Sequence, residues 1–277
     1  MLWLWLLGGL FLGGWAVRRW LYWQVQPMAA YPVDRLVCWG HRGMPSAAPE
    51  NTLASFEAAI AAGVDGIELD VMATADGVLV VRHDFDLERV SDGVGLVKDV
   101  TYAQLARLNA AHRWPADAPP QAIPRLEDAL EMLPDSLLIN IELKAQRWRS
   151  VGLEEKVIEQ VRRFGLLERT IVSSFNPNWL LKVRRLEPRL ALGYLWWDQE
   201  VPWFLARPNF FNLVRPEFLH PSADLVTADV VRRAHRRGVK VNAWTVNNGP
   251  LVARLKSLGV DGIFTDYPAL VQAANRA

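Results

Sequence analysis

The chain has 277 residues, of which 51% are apolar, and its formal net charge at pH 7 is +1. This length accommodates a membrane segment and one sizeable domain, since a single α/β barrel takes roughly 250 residues. The balanced charge and the absence of a long run of Lys and Arg exclude a protein that coats nucleic acid. Cys38 is the single cysteine, so the chain forms no internal disulfide and nothing in it requires an oxidising compartment.

The N-terminus has the pattern of a membrane anchor. Residues 1–17 carry no charged side chain and are followed by Arg18 and Arg19; as a helix this run would be about 26 Å long, at the short end of a spanning segment. A cleaved signal peptide has its basic residues before the apolar run, not after it. Residues 1–23 are therefore predicted to be a retained single-pass anchor in the cell membrane. The arginines then place the rest of the chain in the cytoplasm, with a signal-anchor of opposite orientation as the alternative.

Residues 24–35 contain two prolines and are predicted to be a linker. From residue 36 onward, short Val/Ile/Leu-rich runs alternate with helix-like stretches, which indicates a parallel sheet covered by helices on both faces. The predicted strands are 36–41, 66–71, 78–83, 137–143, 170–175, 190–196, 239–244 and 262–266. Eight such strands predict a (β/α)8 TIM-type barrel over residues 36–277. Two features depart from a simple repeat: Asp76-Gly77 resembles a tight turn, and residues 84–125 form an irregular insertion.

One predicted helix lies beside several polar residues. Residues 52–62 carry apolar side chains on one face, with Asn51 placed to cap the helix and Gly63 to end it. Glu50 precedes the cap, and we expect it to support the site indirectly by orienting Arg42 or a histidine.

Polar residues end several of the apolar runs. In a barrel of this kind the chemistry lies where the strands end and the loops begin. His41, Asp70, His83, Glu142 and Asp266 all stand at or near the carboxyl ends of their runs. The sequence therefore predicts that these side chains converge at one mouth of the barrel.

Three carboxylates are candidates to hold a metal ion. Glu68 and Asp70 are two residues apart on a strand and so share a face, and Glu142 ends another strand. Carboxylates crowded in a low-dielectric mouth repel one another unless a cation lies between them. Mg²⁺ or Ca²⁺ would fit, since both prefer oxygen ligands. The alternative is that Glu142 simply pairs with Lys144.

Two of the five histidines suit proton transfer near neutral pH. His41 and His83 both follow apolar runs and precede polar loops. His112 lies in the insertion and His235 on a charged helix face, so neither is a candidate. His220 precedes a proline at a possible strand end and stays open. Among the cations, Arg42 is suited to a pair of phosphodiester oxygens, and Lys144 offers a second positive charge.

The motifs together resemble the glycerophosphodiester phosphodiesterase family, which includes membrane-anchored members similar to lysophospholipase D. The resemblance runs from about residue 36 to residue 270 and rests on GHRG (40–43), PENT (49–52), GIELDV (66–71), RHD (82–84), NIELK (140–144), AWTVN (243–247) and GIFTDYP (262–268). It implies a (β/α)8 barrel of the phospholipase C-like type with a small insertion. It also implies His41 and His83 as the acid/base pair, and Glu68, Asp70 and Glu142 as metal ligands.

The expected activity is the metal-dependent hydrolysis of glycerophosphodiesters to glycerol 3-phosphate and an alcohol. Trp244 would pack against the substrate's glycerol, or else belong to the core. The alternative activity is that of a lysophospholipase D, which is favoured by the anchor and by the Trp- and Phe-rich stretch 194–221, a candidate membrane-facing lip. A catalytically inactive, membrane-tethered binding protein is a further alternative. No oligomeric state is indicated.

Overall fold

A closed barrel of parallel β-strands forms the centre of the computed structural model, which describes residues 23–25, 27–115, 118–144, 147–199 and 208–276. Eight parallel strands make up the barrel in these residues: β1 (Val37–Gly40), β2 (Gly66–Ala73), β4 (Leu138–Leu143), β5 (Thr170–Ser174), β6 (Ala191–Trp196), β7 (Phe218–Pro221), β8 (Lys240–Ala243) and β9 (Gly262–Thr265). Pairing between β1 and β2 and between β1 and β9 closes the sheet. The predicted barrel is confirmed.

The identity of two strands differs from the prediction. The run 78–83 is not a barrel strand: β3 (Leu79–Val81) lies antiparallel to the far end of β2. The turn at Asp76-Gly77 makes this hairpin, with the amide of Gly77 donating to the carbonyl of Thr74. The strand that completes the barrel is β7, which is short and contains a histidine and a proline. Apolar content alone does not show whether a run lies inside a closed sheet or beside it.

Helices cover the outside of the barrel. Between β2 and β4, the β2–β3 hairpin and the insertion interrupt the regular alternation of strand and helix. The described helices are α1 (Leu53–Ala61), α2 (Tyr102–Leu105), α3 (Leu126–Met132), α4 (Leu153–Arg163), α5 (Pro177–Leu186), α6 (Phe211–Val214), α7 (Ala228–His235), α8 (Gly249–Leu258) and α9 (Pro268–Arg276). Because the connecting helices cover the outer face of the sheet, the strands are buried on both faces.

The start of α1 corrects one prediction. Its N-cap is Thr52, whose side chain accepts from the amide of Ser55, so Asn51 is not the cap. Asn51 instead has a left-handed backbone (φ 56°) and is 3% exposed. This conformation is uncommon for a residue with a side chain. It turns Asn51 inward, which frees its side chain for the site described below.

The insertion has a small apolar core of its own. Leu87, Val97, Leu105 and Ile123 are buried together against Val80 of the hairpin. The insertion is therefore fixed to the barrel through β3 rather than hanging from it as an independent loop.

Part of the predicted linker packs on the barrel. Tyr31 is 4% exposed and lies against the rings of Trp39 and Phe218. Its hydroxyl donates to Asn242 Oδ1 over 2.5 Å. The side chain thereby fills the interior of the barrel beneath the site.

The predicted anchor, residues 1–23, lies outside the described residues except for Trp23, and so do Trp203 and Phe204 of the aromatic stretch. Trp23 is buried against Phe211, and its indole N–H donates to Asn212. Among the helices of the described part of the chain, none is both long and apolar enough to cross a membrane.

Replacing Tyr31 with Phe tests the packing of this segment. The buried acceptor on Asn242 would lose its donor, so we expect the free energy of unfolding to fall by about 1–2 kcal/mol. Chemical denaturation measures this change. Tyr267→Phe, at a side chain that is 48% exposed, is the matched control. An equal change in both variants would contradict the buried hydrogen bond.

Candidate active site

The site is a cavity of about 340 Å³ where the barrel strands end. The charged and polar residues of its wall are His41, Arg42, Glu68, His83, Asn140, Glu142, Lys144 and Thr245. Phe175, Leu195, Trp197, Trp244 and Phe264 supply apolar wall. The structure thus brings together in one wall most of the residues predicted from the sequence. Asp70 and Glu50 stand immediately behind it.

Glu68, Asp70 and Glu142 converge as the pattern predicts. One oxygen of each carboxylate lies within 4.8 Å of the others. Asp70 and Glu142 are direct neighbours across the parallel pairing of β2 with β4. The inward faces of two adjacent strands therefore create the cluster.

The cluster has an unpaired buried oxygen and unevenly compensated charges, a combination that a cation would fit. Burial and the charges of Asp70 and Glu142 raise the pKa of Glu68 well above its usual value. Burial also opposes ionisation of Asp70, but Lys144 and Arg42 outweigh it and lower the pKa of Asp70. Asp70 Oδ1 is nevertheless buried without a hydrogen bond; Lys144 Nζ lies 3.4 Å away, beyond good hydrogen-bond distance. An orphaned buried carboxylate oxygen beside two further carboxylates is a suitable donor set for a hard divalent ion.

Lys144 also pairs with Glu142, which is the alternative to metal binding that the sequence left open. Its ammonium group lies 2.8 Å from Glu142 Oε1. Burial would lower the pKa of Lys144, but Glu142 and Asp70 raise it, so the side chain is cationic. The pair and the carboxylate cluster occur together, because Lys144 compensates part of the negative charge.

Arg42 is held by a strained turn. It has φ 53° and is followed by Gly43 with φ 86°, so the GHRG segment turns sharply as it leaves β1. The amide of Arg42 donates to Glu68 Oε2 over 2.8 Å, and the guanidinium donates to Glu50 Oε1 over 2.9 Å. Glu50 therefore orients Arg42, one of the two roles expected of it. The guanidinium stays at the cavity wall.

Asn51 is a residue of the site and not the helix cap that its position predicts. Its Nδ2 donates to Asp70 Oδ2 over 2.9 Å, and its amide donates to the carbonyl of Arg42 over 3.0 Å. It thus fixes both the carboxylate and the turn. The sequence does contain a sign of this role. Asn51 and Thr52 are adjacent and both suit an N-cap, but only one residue caps the helix, so the other is free to bind elsewhere.

Both candidate histidines pair with carboxylates through the same ring atom. His41 Nδ1 lies 2.7 Å from Asp266 Oδ1, and His83 Nδ1 lies 2.8 Å from Asp84 Oδ1. Burial would raise the pKa of Asp84, but hydrogen bonds from His83 and Arg89 bring it to about 2. An ionised carboxylate only accepts, so each neutral ring carries its proton on Nδ1 and presents Nε2 as a base.

The sequence predicts Asp266 only as a strand-end residue, and the fold pairs it with His41. Asn247 donates to its other oxygen over 2.6 Å. Burial opposes ionisation of Asp266, but the bond from His41 outweighs it and lowers the pKa of Asp266. The two residues are 225 positions apart, so no local pattern links them.

His220, left open by the sequence, lies inside the barrel and does not line the cavity. It is fully buried, and burial lowers its pKa to about 3. The ring is therefore neutral and takes no part in proton exchange near neutral pH. Its Nε2 is 3.3 Å from Asn242 Nδ2.

Trp244 forms part of the aromatic wall and is held from behind. Its indole N–H donates to the carbonyl of His220 over 2.8 Å. The rings of Phe175 and Trp197 meet it at 5.6 and 6.2 Å, nearly perpendicular to its plane. Trp244 is half-buried at the cavity wall, which is compatible with packing against a substrate.

The barrel and the polar residues at its mouth define a TIM-barrel enzyme that acts on phosphate esters. Comparison with known proteins specifies the family. Residues 41–270 match the glycerophosphoryl diester phosphodiesterase family. A glycerophosphodiester phosphodiesterase of Bacillus altitudinis is 40% identical over 235 residues, covering 83% of this chain and 94% of the relative. The chain belongs to the glycerophosphodiester phosphodiesterase family.

Solved structures agree with this assignment. A protein of Silicibacter pomeroyi described as a glycerophosphoryl diester phosphodiesterase is similar with a TM-score of 0.79 and 30% identity, over 88% of this chain and 94% of that one. A phosphodiesterase of Oleispira antarctica, solved with the product sn-glycerol-3-phosphate, has a TM-score of 0.74 and 29% identity, over 91% of this chain and all 100% of that one.

Metal binding should release a proton. Because the pKa of Glu68 is raised, the group is protonated below that pKa, and a cation must displace the proton. We expect the affinity for Mg²⁺ or Ca²⁺ to increase with pH across the range in which Glu68 titrates. Calorimetry in buffers of different ionisation enthalpy measures the proton released. Glu68→Gln should bind more weakly and release none, whereas a pH-independent affinity in the wild type would contradict the argument.

Proposed function

We propose that this protein hydrolyses glycerophosphodiesters to glycerol 3-phosphate and an alcohol. The single observation that carries the proposal is the arrangement of one cavity: two carboxylate-oriented histidines, two cations and a cluster of three carboxylates. General acid, general base and charge neutralisation are the three requirements for cleaving a phosphodiester. The family relatives and the product complex described above support the same reaction.

The side chains divide the reaction between them. Arg42 is held as a planar donor toward the cavity and suits two oxygens of the phosphate, and Lys144 adds positive charge. One of His41 and His83 accepts the proton of the attacking oxygen, which comes from water or from the substrate's own glycerol hydroxyl. In the second case the alcohol leaves, a cyclic glycerol phosphate forms, and water then opens it to glycerol 3-phosphate. The other histidine, protonated, donates to the leaving alcohol.

Glu68, Asp70 and Glu142 would hold a divalent cation, Mg²⁺ or Ca²⁺. When bound, it supplies Lewis-acid stabilisation of the negative charge on the phosphate. The cation would also offset the repulsion among the three carboxylates, which together with burial raises the pKa of Glu68. Phe175 and Trp244 leave an apolar surface in the cavity, against which the carbon atoms of the glycerol would pack.

The assay that tests this function compares a soluble diester with a lysolipid. Purified protein in detergent is incubated with glycerophosphocholine and with lysophosphatidylcholine, each with EDTA or with added Mg²⁺ or Ca²⁺. We expect metal-dependent release of choline from glycerophosphocholine. His41→Ala should lower kcat by roughly 10²-fold or more, the contribution of acid/base catalysis. His112→Ala, an exposed residue of the insertion, is the control and should keep wild-type activity.

The same assay separates the alternatives. Choline release from lysophosphatidylcholine would favour a lysophospholipase D, which would produce lysophosphatidate. Release from neither substrate, with folding and metal binding intact, would contradict the diesterase and return the binding-protein hypothesis.

The membrane anchor is a further part of the proposal and is supported by the sequence alone. Residues 1–17 are uncharged and are followed by two arginines, the pattern of a single-pass segment whose following domain is cytoplasmic. The full chain should sediment with membranes and resist an alkaline carbonate wash, while a chain beginning at residue 23 should not. Protease protection in closed vesicles would report orientation. Recovery of the full chain in the supernatant would contradict the anchor.

A further inference from the structure

Arg89 lies in the insertion and connects the loop that carries Glu50 with the loop that carries Asp84. It does not line the cavity. Its guanidinium forms ion pairs with Glu50 and with Asp84, and its Nη1 donates to Glu50 Oε2 over 3.1 Å. Glu50 and Asp84 are 34 positions apart and stand on different loops, so Arg89 is a bridge between loops.

Each of these carboxylates holds a residue of the cavity wall. Glu50 accepts from Arg42 at 2.9 Å, and Asp84 lies 2.8 Å from His83 Nδ1. The polar chain therefore runs from the proposed phosphate-binding arginine, through Glu50, Arg89 and Asp84, to a proposed acid/base histidine. Both carboxylates have Arg89 as a common partner.

The exposure of Arg89 indicates what kind of contribution it makes. Its side chain is 45% exposed, and ion pairs in such positions add little to the free energy of unfolding. The guanidinium is planar and offers several donors in a fixed fork. It can therefore fix the relative position of two carboxylates without being important for overall stability.

We propose that Arg89 is a positioning residue, which holds Arg42 and His83 in register with one another through Glu50 and Asp84. The insertion is then part of the catalytic apparatus, although none of its described residues lines the cavity. This role rests on the proposed diesterase function.

The test compares Arg89→Gln, Arg89→Lys and Lys98→Gln with the wild type on glycerophosphocholine. Lys98 is the matched control, since it lies on the same insertion, is 49% exposed and pairs with an exposed aspartate, Asp99. We expect Arg89→Gln to lower kcat by about 10- to 10²-fold, the order of loss that follows from a small misplacement of reacting groups. Arg89→Lys should recover part of this loss, because it keeps the charge but not the fork. Lys98→Gln should leave kcat unchanged.

Further measurements separate positioning from a structural role. The melting temperature and the calorimetric affinity for Mg²⁺ should change little in Arg89→Gln, because the three carboxylates of the metal cluster do not contact Arg89. Double variants of Arg89→Gln with Glu50→Gln and with Asp84→Asn should each lose less kcat than the product of the single losses. This non-additivity is expected only if Arg89 acts through both carboxylates.

Three results would overturn the inference. These are an unchanged kcat in Arg89→Gln, a loss of kcat explained by a matching loss of folded protein, and losses that multiply in both double variants. In each case an active wild type would leave the diesterase function standing. A wild type without diesterase activity would overturn the proposed function and this role together.

Discussion

The mutual repulsion of three carboxylates at the mouth of the barrel is the constraint on which the rest of the site depends. Glu68, Asp70 and Glu142 meet because adjacent strands direct them inward. Crowded carboxylates in a buried place do not all ionise without compensation. The chain compensates through the amide of Arg42 on Glu68 and the ammonium of Lys144 on Glu142. A divalent cation bound among the three carboxylates would complete this balance.

The two histidines proposed as the acid/base pair meet a different requirement, which is orientation. An imidazole is a useful base only if its free nitrogen faces the substrate. Asp266 and Asp84 each accept a hydrogen bond from Nδ1 of one histidine, so both rings present Nε2. One carboxylate comes from the end of β9 and the other from the residue directly after His83. The barrel supplies the first pair, while Arg89 of the insertion supports the second.

The sequence predicted the architecture well because short apolar runs alternate regularly with helix-like stretches along the chain. Buried parallel strands are continuous apolar runs, and most of the predicted strands lie within one or two residues of their positions in the structure. The signal failed for the run 78–83, which is as apolar as a barrel strand but forms a hairpin arm, and for the short strand Phe218–Pro221. Whether a run joins the closed sheet depends on its partners, and a local pattern contains no information about partners.

The sequence by itself determined the fold class, the family and the residue types of the site, because strand-end polar residues and the spacing of Glu68 and Asp70 follow from local geometry. Only the tertiary structure decided which of these groups act on one another. In the structure Asn51, a predicted helix cap, donates to Asp70 instead. His220 is buried inside the barrel, and His41 pairs with Asp266. The physical reason is that hydrogen bonds and charge compensation depend on distances of about 3 Å between residues far apart in the chain, and only the closed barrel fixes those distances.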